Sequence, residues 1–122
     1  MKERTSWFSH RLNQEVAVAR WGHYGTPVLI FPTAGGDAEE IERFHIVAAL
    51  AQHLEQGKIK IYSCDSVAGR TMLAEEGSPQ HRMWIMNQFQ EYVRQELVPW
   101  IWDDCRTPGL GIATAGASVG AF

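Results

Sequence analysis

The pentapeptide Gly116-Ala117-Ser118-Val119-Gly120 has the form G-x-S-x-G. A serine in that frame sits on a sharp strand-to-helix turn with its Oγ raised above a sheet. Small residues two before and two after it are needed because neighbouring backbone crowds the turn, and Gly116 and Gly120 meet that need. Ser118 is therefore the candidate nucleophile, and the next residue, Val119, presents its backbone N–H to a developing oxyanion. A second segment, Phe31-Pro32-Thr33-Ala34-Gly35-Gly36, follows an apolar run and precedes a well-marked helix. Such a loop either supplies the other oxyanion-hole N–H, with Thr33 and Ala34 as candidate donors and the choice between them open, or is a simple strand-to-helix turn. Gly35 and Gly36 let the backbone approach a ligand closely and are candidate pocket residues. Asp65 and Ser66, which end another predicted strand, belong to the same edge; there they line the pocket, bind a loop or simply form a turn. The competing reading of the pentapeptide is a glycine-rich strand end whose serine caps a helix.

These residues need a scaffold that brings strand ends together, and the pattern supplies one. Ser6 to His10 and Val16 to Trp21 flank Asn13-Gln14 and read as an antiparallel hairpin. Val28-Leu29-Ile30-Phe31 is apolar without alternation, as in a strand covered on both faces of a parallel sheet. Asp37, with Glu40 three residues on, starts a helix in the manner of a capping box. Ile41, Phe44, Val47, Ala48, Ala51 and Leu54 share one face of it, and Gly57 ends it. Lys58 to Cys64 is the next strand. Ser78 and Pro79 then open a second helix whose buried stripe is Ile85, Phe89, Tyr92, Val93, Leu97, Trp100 and Ile101. Pro99 is expected to kink its last turn or end it. Leu110 to Ala115 forms a final strand before the pentapeptide. The order β-β-β-α-β-α-β argues for an α/β fold, a mostly parallel sheet with right-handed crossovers and an antiparallel hairpin at the start.

Composition excludes several function classes. The apolar share is 45% and the charged share 20%, values ordinary for a globular chain. Net charge is −3, so no broad basic surface calls for nucleic acid or an anionic membrane. No apolar run reaches the ~18 residues of a membrane span, and no signal-peptide core follows the charged N-terminus. Cys64 and Cys105 lack ligand spacing and read as buried thiols of a reducing compartment, with the cytoplasm as the default. Asp103-Asp104 reads as a solvated helix end and not a metal site. Met83, Trp84, Met86, Trp100 and Trp102 read as core. No dinucleotide fingerprint or phosphate loop is present, so no cofactor or metal is expected.

The stretch Val28 to Gly36, then Ile61-Tyr62-Ser63-Cys64-Asp65-Ser66, then Gly116 to Gly120 resembles bacterial esterases of the esterase D and mycolyltransferase branch of the α/β-hydrolases. The resemblance covers essentially all 122 residues. It implies a three-layer α/β/α fold and a serine hydrolase that cleaves small-molecule carboxylic esters through an acyl-enzyme. In that family the acid and the histidine follow the serine, whereas His10, His23, His45, His53 and His81 all precede Ser118. Residues 1–122 are accordingly expected to be the first part of a single hydrolase domain, incomplete after the elbow and inactive alone. The C-terminal remainder, as a second chain or a lost segment, is expected to supply the acid and the histidine. Two rivals stand beside this: a non-catalytic hydrolase-like binding module, and an interaction domain that forms homo-oligomers through its exposed last strand.

Overall fold

Alternation along each strand decides which layer a residue joins. The computed structural model describes residues 2–32, 37–43, 45–65, 79–106 and 109–116. Strands β1 (Lys2–Ser9) and β2 (Gln14–Trp21) form the expected hairpin, with Ser9 opposite Gln14 and Asn13 turning the chain at φ 54°. Strands β3 (Thr26–Phe31), β4 (Ile59–Cys64) and β5 (Ala113–Gly116) complete a five-stranded sheet of order β1-β2-β4-β3-β5. β2 runs antiparallel to β4, whereas β3 lies parallel to both β4 and β5. Val16, Val18, Leu29, Tyr62 and Cys64 project to one face, and Ala17, Ala19, Trp21, Ile30 and Ile61 to the other. Both faces are covered, which is why the β3 sequence reads as an apolar run.

Helices form the outer layers. On the first face, α4 (Pro79–Tyr92), α5 (Val98–Asp104) and the turn between them bury Phe89, Tyr92, Leu97 and Ile101, with Ile85, Val93 and Trp100 half-buried beside them. This is the whole of the expected stripe. The helix does not end at Pro99. A wide, π-helical turn at Val93–Leu97 joins α4 to α5, and the helix continues to Asp104. In a regular helix Pro99 would clash with the carbonyl of Gln95 and leave it without a donor. The widened turn just ahead of it accommodates the proline. Met83 and Trp84 do not join the core: they are 59% and 51% exposed, on the side of α4 away from the stripe.

The other face corrects the expectation of one long helix. Asp37 caps as expected, its Oδ1 accepting the Glu39 N–H at 3.0 Å and its carbonyl the Glu40 N–H at 3.1 Å. The chain then makes three short helices, α1 (Glu40–Arg43), α2 (Ile46–Ala49) and α3 (Ala51–Glu55). His45, left-handed at φ 66°, separates the first two, and Leu50 at φ −104° and ψ 8° the second pair. The break rotates α2 out of register with the sheet, so Ile41 and Leu54 are buried but Ala48 is exposed, while Val47 and Ala51 are half-buried. Phe44 lies outside the described residues. Gly57, at φ 69°, ends the run as expected. Among the described residues no helix is long and apolar enough to cross a membrane.

Two carboxylates join the layers. Glu96, in the π-helical turn, accepts hydrogen bonds from Trp7 Nε1 (3.0 Å), Ser9 Oγ (2.9 Å) and Arg11 Nη1 (2.9 Å), locking the hairpin to the helix. Asp104, expected at a solvated helix end, has a side chain only 19% exposed. It accepts from Arg20 Nη1 (2.8 and 2.9 Å), Lys60 Nζ (3.2 Å) and the Tyr62 hydroxyl (2.5 Å). Its partners come from β2 and β4, at sequence distances no local pattern reveals. For both acids burial works to raise the pKa, but the donors outweigh it and hold each carboxyl below its ordinary value.

A carboxyl held low in the folded state contributes stability that is present above its unfolded pKa and lost as pH falls through the folded value. Unfolding free energy should therefore decline from about pH 4.5 downward. Glu96→Gln should cost about 1–3 kcal/mol at pH 7 and make that acid decline shallower. Urea unfolding at pH 7 and pH 4 checks this; identical pH dependence in the two proteins would show that Glu96 is not the lock.

Candidate active site

The parallel pairing of β3 with β5 sets the geometry of the site. Phe31, the last residue of β3, is the register partner of Gly116, the last residue of β5. The chain thus leaves the sheet at two points on neighbouring strands, separated by one inter-strand spacing of about 4.8 Å. One exit leads into residues 33–36 and the other into residues 117–122, which include Ser118. β4, parallel on the other side of β3, ends at Cys64 on the same edge. The three carboxyl ends therefore gather where open α/β sheets place their ligands.

Of the residues singled out by sequence, Gly116 and Asp65 lie among the described ones. Thr33, Ala34, Gly35, Gly36, Ser66, Ser118, Val119 and Gly120 lie outside them. What the structure describes is the frame that holds their segments. Pro32 is fully buried at the end of β3. On the far side of residues 33–36, Asp65 Oδ1 accepts the Ala38 N–H at 3.0 Å. Asp65 Oδ2 accepts the Ala17 N–H at 2.9 Å, while the Asp65 N–H donates to the Ala17 carbonyl at 3.1 Å. Asp65 thus ties the end of β4 to β2 and to the entrance of α1.

Sequence reasoning did not pick out two buried hydroxyls. Ser63 Oγ, beside Cys64, and Tyr92 Oη, whose electrostatic neighbours include Cys64 and Asp65, have no hydrogen-bond partner among the described residues. Cys64 itself is fully buried, and burial pushes its thiol far above the ordinary value, so it offers no thiolate nucleophile. All five histidine side chains are exposed. His10 packs against Phe8, His81 stacks on Trp84, His23 lines a cavity at the opposite edge of the sheet, and His45 and His53 lie on the α1–α3 layer. Among the described residues no group of three or more His, Cys, Asp or Glu could hold a metal ion.

No protein-family model matches the chain, and no curated protein does. Solved structures match it over nearly its full length. A ferulic acid esterase aligns at a TM-score of 0.70 with 16% identity, covering 98% of this chain and 50% of that one. An S-formylglutathione hydrolase from Agrobacterium tumefaciens aligns at 0.69 with 17% identity and the same coverages, 98% and 50%. An IroE-like serine hydrolase from Shewanella oneidensis aligns at 0.64 with 19% identity, covering 98% of this chain and 43% of that one. The five-stranded mixed sheet and its two helical layers match the α/β-hydrolase-like fold of these structures, and the chain spans about half their length.

Removing the Asp65 carboxylate strands two backbone N–H groups, each worth about 1–3 kcal/mol when left unmet. Asp65→Ala should lower unfolding free energy by about 2–6 kcal/mol, and Asp65→Asn, which keeps one acceptor oxygen, by about half as much. Denaturant titration measures both; an unchanged midpoint for Asp65→Ala would remove Asp65 as the anchor.

Proposed function

We propose that this chain carries the nucleophile and the oxyanion hole of a serine esterase. The observation that carries the reading is the Phe31–Gly116 register, which starts the two candidate segments from adjacent strand ends. The fold shared with a ferulic acid esterase and an S-formylglutathione hydrolase supports it. So does the G-x-S-x-G sequence that leaves β5.

In this reading Ser118 Oγ attacks the carbonyl carbon of a carboxylic ester while its proton passes to a histidine. The carbonyl oxygen becomes an oxyanion held by the Val119 N–H and by an N–H of Thr33 or Ala34. Collapse of the tetrahedral intermediate expels the alcohol, which takes the proton from the histidine and leaves an acyl-serine. Water, deprotonated by the same histidine, then releases the acid. The histidine and its orienting carboxylate come from the C-terminal remainder of the domain, as a second chain or a continuation. β5 supports this completion: among the described residues it has β3 alone as a neighbour, and Ala113 and Thr114 are exposed. That bare edge is also what favours the rival reading, an interaction domain that pairs through β5 and has no turnover.

Ser118→Ala, in the protein that contains the acid and histidine, should lower kcat for p-nitrophenyl acetate by at least about 10³-fold with little change in fold. Steady-state hydrolysis with circular dichroism on the same samples is the test. Native mass spectrometry of the active species should show more polypeptide than the 13.8 kDa of this chain. Undiminished turnover in Ser118→Ala, or full activity in a lone 13.8 kDa species, would contradict the reading.

A further inference from the structure

The amino edge of the sheet, opposite the end where β5 reaches Gly116, holds a cavity of about 770 Å³. Its size falls in the range of small-molecule sites, about 300–1,000 Å³. Its floor is the Asp104 cluster. There Arg20 and Lys60 both bond to Asp104, and Arg20 also pairs with Glu3 at 2.8 Å. Those charges are mutually engaged. The mouth is different: His23, Tyr24 and Arg106 line it, all three exposed, and Tyr24 is 73% exposed. Among the described residues neither the Arg106 guanidinium nor the His23 imidazole has a hydrogen-bond or ion-pair partner, and Tyr24 presents an uncovered ring.

Local charge selects the ligand. Arg20, Lys60 and Arg106 set three cations against the two carboxylates of Asp104 and Glu3, in a chain whose net charge is −3. The surplus cation is Arg106, whose planar fork matches an oxyanion in two parallel hydrogen bonds. The wall is rigid as well. Gly25, at φ 114°, packs so closely on the chain before β4 that a Cβ there would stand 2.3 Å from the Lys58 carbonyl carbon. The Thr26 N–H is bonded to the Lys58 carbonyl at 3.1 Å.

We propose that this amino-edge cavity binds a small oxyanion-bearing molecule, gripped by Arg106 with the His23 ring as a further donor and the Tyr24 ring as a face to pack on. The oxyanion is a carboxylate or a phosphate, and the two are separated by experiment. Equilibrium dialysis of the purified protein with radiolabelled benzoate and with radiolabelled inorganic phosphate, at constant ionic strength, reads binding directly. At least one probe should bind saturably at one equivalent, and the one that binds assigns the class. Arg106→Asn should weaken that binding tenfold or more. Asparagine suits the left-handed conformation at φ 56° that Arg106 holds, so the variant keeps the fold. Arg106→Lys, which keeps the charge but loses the fork, should fall between the two. Absence of saturable binding by both probes, or affinity unchanged in Arg106→Asn, would overturn the proposal.

Discussion

The position of β3 between two parallel neighbours is the constraint on which the rest of this structure depends. A parallel ladder cannot be closed by a tight turn, so each return to the sheet needs a crossover, and each crossover lays helix against a face. That requirement produces the α1–α3 layer on one side and the α4–α5 layer on the other. It also makes the strands residues of a covered sheet, with Leu29, Ile61 and Tyr62 wholly buried. The same ladder puts all carboxyl ends on one edge. The catalytic reading rests there, since a nucleophile turn and an oxyanion loop can act on one carbonyl only if they start side by side.

Charge then fixes what apolar packing leaves free. Glu96 and Asp104 sit at either end of the second half of the helical layer, one holding the hairpin and the other the strands β2 and β4. Each is partly buried and charged, an arrangement that is costly unless every oxygen is met, and several donors converge on each. Asp65 plays the corresponding part in the other layer, with backbone N–H groups as its donors. The division leaves Asp65 tying the end of β4 at the carboxyl edge, and at the amino edge a guanidinium, that of Arg106, with no partner among the described residues.

Periodicity made the strands, the α4–α5 stripe and the face assignments legible, because burial on a sheet or helix repeats with the backbone. Met83 and Trp84 fall on the side of α4 opposite Ile85, Phe89 and Tyr92, so the same stripe already argued against placing them in the core. The break at His45 had no such signal. Its apolar neighbours fit one continuous helix, and a histidine, although it enters the left-handed region more readily than most residues, does not by itself mark a break. The burial of Asp104 is illegible in the sequence for a related reason: Arg20, Lys60 and Tyr62 are distant along the chain and meet it only in the fold. At the candidate site, residue types were legible from G-x-S-x-G and the glycine pair. The register that sets the two segments beside each other was not, because strand order does not follow chain order.

The most direct test of the central claim is covalent labelling with a fluorophosphonate, followed by peptide mass spectrometry of the protein that contains the completed domain. The phosphonyl mass should appear on the peptide spanning Gly116 to Gly120, on Ser118, and at one equivalent as ester turnover falls to zero. Labelling on another residue with loss of activity, or turnover that persists with Ser118 fully labelled, would contradict the assignment of this serine as the nucleophile.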